Sequence, residues 1–284
     1  MRLFLLPIST RRTLLYCQKL QALPSDKQSR IDKITSRAAR LWASWEEKES
    51  GWQKSVVNYG NRALRRIPYE EWGLKSVPTL SARRRQEDII GKEKHHLVFP
   101  PSIISATRAP EILRALATER HVLHRSRMIW CFVGMPLSAP FALVPIIPNL
   151  PFFYLVYRAW SHYRALAGGK HLRWLLDNKF FTLWPSEALD AIYSQHLLPS
   201  NSQEQLNHST QSLDQSQNSS LPPERLLLTQ DSGRKVARAL KVPELETELD
   251  RAIWQVQEAI QKEAKASEEP EPSSKPEQSK SQDK

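Results

Sequence analysis

Arg158, His162 and Arg164 are the residues where charge and titratable chemistry meet an apolar surface, and they are the candidate functional residues of the chain. They close one end of the stretch Met128–Tyr157, which contains no Asp, Glu, Lys, Arg or His. At such a mouth they could serve an ion path, although membrane topology and lipid anchoring account for the same charges equally well. Arg83, Arg84 and Arg85 could contact phosphates of lipid or nucleic acid, and a solvated surface run is the plainer account. His95 and His96 are adjacent and cannot face one point from a regular strand or helix, so no metal site is expected there. Gly168-Gly169 lacks the spacing and the preceding strand of a phosphate loop and reads as a turn. Cys17 and Cys131 stand far apart, with neither metal-ligand spacing nor a disulfide framework. No nucleophile–base arrangement is legible, so no catalytic residue, cofactor or metal is expected and the chain does not read as an enzyme.

The element that would position Arg158 and His162 is the apolar stretch itself. Uncharged runs of about 18 or more apolar residues read as membrane segments. As one helix Met128–Tyr157 would be about 45 Å long, against about 30 Å of hydrocarbon. Pro145, Pro148 and Pro151 cluster in PIIPNLP and favour a break there. Two arms returning to one side agree with positive charge at both ends: Arg120, Arg125 and Arg127 before, Arg158, Arg164 and Lys170 after. The second arm is short for a crossing, so a re-entrant loop and a single span stand beside the hairpin. The expected fold is mainly α: a membrane protein with a short proline-broken hydrophobic hairpin between soluble helical segments, and a disordered C-terminal tail.

Around that stretch the chain divides by composition. Residues 1–24 are basic, hydroxylated and free of acids, as in mitochondrial targeting segments; an ordinary first strand or helix is the alternative. Residues 25–127 form a helical soluble segment, with Ser25 and Gln28 at capping-box spacing and an irregular connector over 68–105. The membrane hairpin occupies 128–160 and a basic helical segment 161–198. A Ser/Gln/Asn-rich linker follows over 199–223. Residues 224–265 carry an amphipathic helix whose face is Leu245, Leu249, Ala252, Ile253, Val256 and Ile260. The tail, 266–284, has nothing to bury. The formal charge of +11 over 284 residues suits an anionic lipid surface or nucleic acid.

Three stretches carry a family resemblance: MRLFLLPISTRRTLLYCQ, PIIPNLPFFYLVYRAWSHYRALAGGKHL and DSGRKVARALKVPELETELDRAIWQV. On these the chain resembles the mitochondrial potassium–proton exchange-related family. The resemblance implies the mitochondrial inner membrane, with both termini in the matrix if positive charge marks that side, and a part in potassium–proton exchange and matrix volume. It also favours an N-terminus that is retained. It supplies no ion-binding residues. The apolar stretch offers only Ser138, Asn149, Tyr154, Tyr157 and backbone carbonyls as ligands, and known exchangers use many more helices. A component or regulator is therefore expected rather than a self-sufficient exchanger, with membrane lipids, other copies of itself or a larger exchanger complex as partners. Nucleic acid is not the expected partner; a membrane-tethered matrix protein binding ribosome or nucleic acid through its basic surface is the alternative.

Overall fold

The first 18 residues send apolar side chains alternately to two opposite faces, which is the pattern of a strand buried on both sides. In the computed structural model, which describes residues 1–18, 37, 40–91, 95–138, 150–197 and 224–268, they form β1 (Arg2–Pro7) and β2 (Thr13–Gln18). Two further strands, β3 (His95–Phe99) and β4 (Phe181–Pro185), complete one sheet of order β2-β1-β3-β4. β1 pairs antiparallel with β2, in a register that sets Phe4 opposite Tyr16, and parallel with β3. β3 in turn pairs parallel with β4. β1 is thus an interior strand.

Helices cover both faces of β1, β2 and β3, whereas the edge strand β4 is largely exposed. In chain order they are α1 (Trp52–Arg65), α2 (Tyr69–Ser76), α3 (Ala82–Ile89), α4 (Arg108–Thr118), α5 (His121–Ser138), α6 (Leu150–Asp177), α7 (Glu187–Leu197), α8 (Gln230–Ala239) and α9 (Glu244–Glu268). Residues 40–46 are helical as well. On one face Leu3, Leu5, Leu15, Leu97 and Phe99 pack with Leu74 of α2, Leu113 of α4 and Leu172 and Leu175 of α6. On the other, Phe4, Leu6, Leu14, Tyr16 and Val98 pack with Tyr193 of α7, Val236 of α8 and Leu245, Leu249 and Ile253 of α9. Each such buried side chain contributes about 1.5–3 kcal/mol relative to exposure, so the alternation along β1 holds both layers at once. Thr229 and Ser232 close a capping box that starts α8.

Polar contacts fix how the layers meet. Gln255 of α9 donates to the carbonyls of Arg65 and Ile67 and accepts from the Tyr69 amide, which sets where α2 begins. The edge strand β2 is not left bare: Ser76 Oγ accepts from the Cys17 amide, and α2 lies so close that a Cβ on Gly73 would sit 2.4 Å from the Leu15 carbonyl. Gly168 and Gly169 lie inside α6 rather than in a turn. A Cβ at Gly168 would meet the Leu74 carbonyl at 2.1 Å, and one at Gly169 the Ala117 carbonyl at 2.8 Å. The glycine pair lets α6 pass between α2 and α4 at backbone contact.

The membrane reading of the fold is overturned. Among the described residues no helix is long and apolar enough to cross a membrane. The apolar stretch is divided. α5 enters it only after Arg125 and Arg127, and its uncharged part, Met128–Ser138, would span about 17 Å at 1.5 Å per residue. α6 runs uncharged only from Leu150 to Tyr157 and continues unbroken through Arg158, Arg164, Lys170 and Arg173. The apolar run is continuous along the sequence, but among the described residues it is shared between two helices, each of which also carries a charged segment. The fold is mainly helical with a small sheet. Pro151 occupies the first turn of α6, a position that needs no amide donor. Pro145 and Pro148, the helix expected from Ser25 up to its last residues, the linker 199–223 and the tail beyond 268 lie outside the described residues.

Candidate functional site

α5 and α6 run antiparallel: His124 is level with His162, and Gly134 with Leu155, whose side chain would stand 3.2 Å from a Cβ there. At the body end of this pair, α2 contributes Glu71, which is wholly buried. Arg158 donates to it twice, Nη1 to Oε1 at 2.8 Å and Nη2 to Oε2 at 3.2 Å. Ser161 Oγ donates to the same Oε1 at 2.5 Å. Burial by itself would raise the Glu71 carboxyl; the Ser161 hydroxyl and the Arg158 guanidinium outweigh it and hold the group below its ordinary range. It is an ionised carboxylate in a buried, charge-assisted pair.

Two histidines extend the network. Arg158 Nη2 lies 3.1 Å from His162 Nε2, and a guanidinium can only donate, so this nitrogen accepts. A neutral His162 then carries its proton on Nδ1, 3.1 Å from His124 Nδ1, to which it donates. His124 in turn holds its proton on Nε2, a buried atom with no hydrogen-bond partner among the described residues. Burial pushes the His162 imidazole down to about 4, Glu71 opposing and Arg158 adding to the shift. His124 is lowered by burial too, again against Glu71. Both rings are neutral at pH 7. Glu71, His124 and His162 each offer one potential ligand atom to a metal ion, with all three atoms within 4.8 Å of one another.

Lys75 lies one turn beyond Glu71 on α2. Its ammonium sits 3.5 Å from the centre of the Trp72 ring and 3.2 Å from the Tyr157 hydroxyl, with Trp160 also facing it. Burial pushes it down to about 8, although Glu71 pulls the other way. The unfolded chain therefore holds a proton on Lys75 up to about pH 10.4, whereas the folded chain releases it near pH 8. Between these values the unfolded state binds more protons, so stability rises with pH in that window. Urea unfolding midpoints are expected to climb from pH 8 to pH 10, and Lys75→Met should flatten that rise. A rise of equal slope in the variant would show that Lys75 is not its source.

Of the three residues read from sequence, Arg158 and His162 meet in the cluster, while Arg164 points elsewhere, with Nη2 3.5 Å from the Lys75 carbonyl. Glu71, His124 and Ser161 carry no sequence signal of their own; the four-residue spacing of Arg158 and His162 on one helix face is the one clue to the network. The other sequence candidates are spent on structure. Arg83 pairs with Glu87, Arg84 donates to the Thr79 carbonyl and Arg85 lies over the Trp174 ring. His95 turns to Asp88 at 2.9 Å, whereas His96 packs its ring on Trp184. The outer faces of α5 and α6 are apolar and exposed, with Trp130, Phe132, Leu137 and Phe153 all more than half accessible.

Comparison with known proteins adds the biological context. The family described as mitochondrial K+-H+ exchange-related matches residues 2–176. An uncharacterised protein of Schizosaccharomyces pombe is 32% identical over 190 residues, covering 67% of this chain and 81% of its own. One of Saccharomyces cerevisiae, also uncharacterised, is 27% identical over 283 residues, covering 90% and 85%. No solved structure matches the chain.

Proposed function

The chain belongs to the mitochondrial K+–H+ exchange-related family, and from that premise we propose that it serves K+–H+ exchange and matrix cation and volume balance as a component or regulator of a larger exchanger complex. The observation that carries the accessory role is the state of Glu71. Potassium needs a shell of oxygen ligands in place of its water, and the cluster offers one carboxylate, already engaged by Arg158 and Ser161, beside two imidazoles. Such a centre locks helices together and does not pass potassium.

The protein works from the matrix side of the inner membrane, both termini in the matrix, and reaches the membrane as a surface contact. The exposed apolar faces of α5 and α6, with Arg125 and Arg127 exposed at their base and no acid between Arg120 and Asp177, suit the headgroup boundary of an anionic bilayer. Carbonate extraction is expected to release it. Mitochondria lacking the protein should swell more slowly in potassium acetate, with rescue by the wild-type chain. Liposomes carrying only the purified protein should not swell. Protonophore-independent swelling of those liposomes would overturn the accessory role, and normal swelling of the deficient mitochondria would overturn the proposal itself.

A further inference from the structure

We propose that Glu71, His124 and His162 form a site for one divalent transition-metal ion of the zinc class, tying α2, α5 and α6 together. The donor set selects the ion. Two imidazole nitrogens and one carboxylate oxygen suit Zn2+ or Co2+, whereas K+, Mg2+ and Ca2+ demand oxygen. The atoms are already near the required spacing. Ligands held about 2.0–2.1 Å from a tetrahedral ion lie roughly 3.3–3.4 Å apart; here the two Nδ1 atoms are 3.1 Å apart, and His162 Nδ1 is 3.7 Å from Glu71 Oε2.

The surroundings fit as well. Ser161 and Arg158 Nη1 both hold Oε1, which orients the carboxylate so that Oε2 faces the histidines, the way outer hydrogen bonds set a ligating carboxylate. Metal binding requires neutral imidazoles, and burial keeps both rings neutral at pH 7. His124 is 2% exposed, and the one hydrogen bond its ring makes among the described residues is the contact with the His162 ring. Entry of the ion displaces the shared proton: the His162 ring proton moves from Nδ1 to Nε2, and Arg158 Nη2 gives up its bond there and keeps Glu71. No proton is gained or lost. Since Arg158 and Glu71 already cancel, the ion adds its full charge to a buried site. Its affinity is accordingly lower than that of thiolate-rich sites. The site is independent of the exchange role.

The experiment uses the full chain, freed of metal by a chelator and titrated with Zn2+ and Co2+. One ion per chain is expected, with visible Co2+ bands of tetrahedral type and a raised Tm. His124→Gln and His162→Gln should each weaken binding at least about tenfold, and His121→Gln, outside the cluster, should not. Circular dichroism checks that the variants fold. X-ray absorption on the wild-type zinc form gives a reading free of substitutions: two imidazoles and an oxygen ligand at about 2.0–2.1 Å. Absence of stoichiometric binding, binding that survives in folded His124→Gln, or a coordination shell without two imidazoles would each overturn the site.

Discussion

Glu71→Gln is expected to cost about 3–5 kcal/mol of stability, because it leaves the Arg158 guanidinium charged and uncompensated in the core. Glu71 is fully buried and the Arg158 side chain is 10% exposed, so water does not replace the lost partner. The neutral Gln carbonyl and the His162 ring that remain beside Arg158 are weaker acceptors than a carboxylate and carry no compensating charge. Replacing both partners, Glu71→Leu with Arg158→Met, removes the buried charge altogether and should restore most of the loss. Urea unfolding of the two proteins and the wild type measures the comparison. A cost below about 1 kcal/mol for Glu71→Gln would mean that Arg158 reaches solvent and that α6 is not clamped to α2 by this pair.

The second large effect concerns the N-terminus. A chain beginning at residue 19 lacks β1 and β2, and with them Leu3, Leu5 and Leu15 from one layer and Phe4, Leu6, Ile8 and Leu14 from the other. At about 1.5–3 kcal/mol for each of these seven side chains, the loss of about 10–21 kcal/mol is as large as the 5–15 kcal/mol that holds a typical domain together, or larger. β3 would also lose its partner in the centre of the sheet. The truncated protein is expected to be unfolded by circular dichroism, and the mature protein in mitochondria to retain residues 2–18. Peptide mapping of the mature N-terminus checks this, and a folded mature form that starts beyond Gln18 would refute it. The basic, acid-free composition of this segment and its role in the sheet are compatible: a strand buried on both faces has no place for Asp or Glu.

The helical parts of the fold were legible in proportion to how one-sided they are. α9 announces itself because Leu245, Leu249, Ala252, Ile253 and Val256 recur on one face, and all five are buried against the sheet. The strands were hidden by the opposite property. LFLLP, TLLYCQ and HLVF are short runs buried on both faces or nearly so, and such runs carry no period that separates them from other apolar segments. The same ambiguity, on a larger scale, produced the membrane reading of Met128–Tyr157: apolar length along the sequence is not apolar length along one helix.

What the sequence determined by itself is local. It placed Arg158 and His162 one helical turn apart, set charge at both ends of an apolar stretch, and carried a family resemblance of whose three stretches the first two lie within the family match over 2–176. Only the tertiary structure decided what those residues do for one another. Glu71, His124 and Arg158 are separated by 53 and 34 positions, and no spacing rule joins them. They meet because Gly168 and Gly169 let α6 press against α2 and α4, and because α9 fixes where α2 starts. Periodicity reports which face of an element is buried; which buried groups then share one charge is settled by the packing of elements distant in sequence.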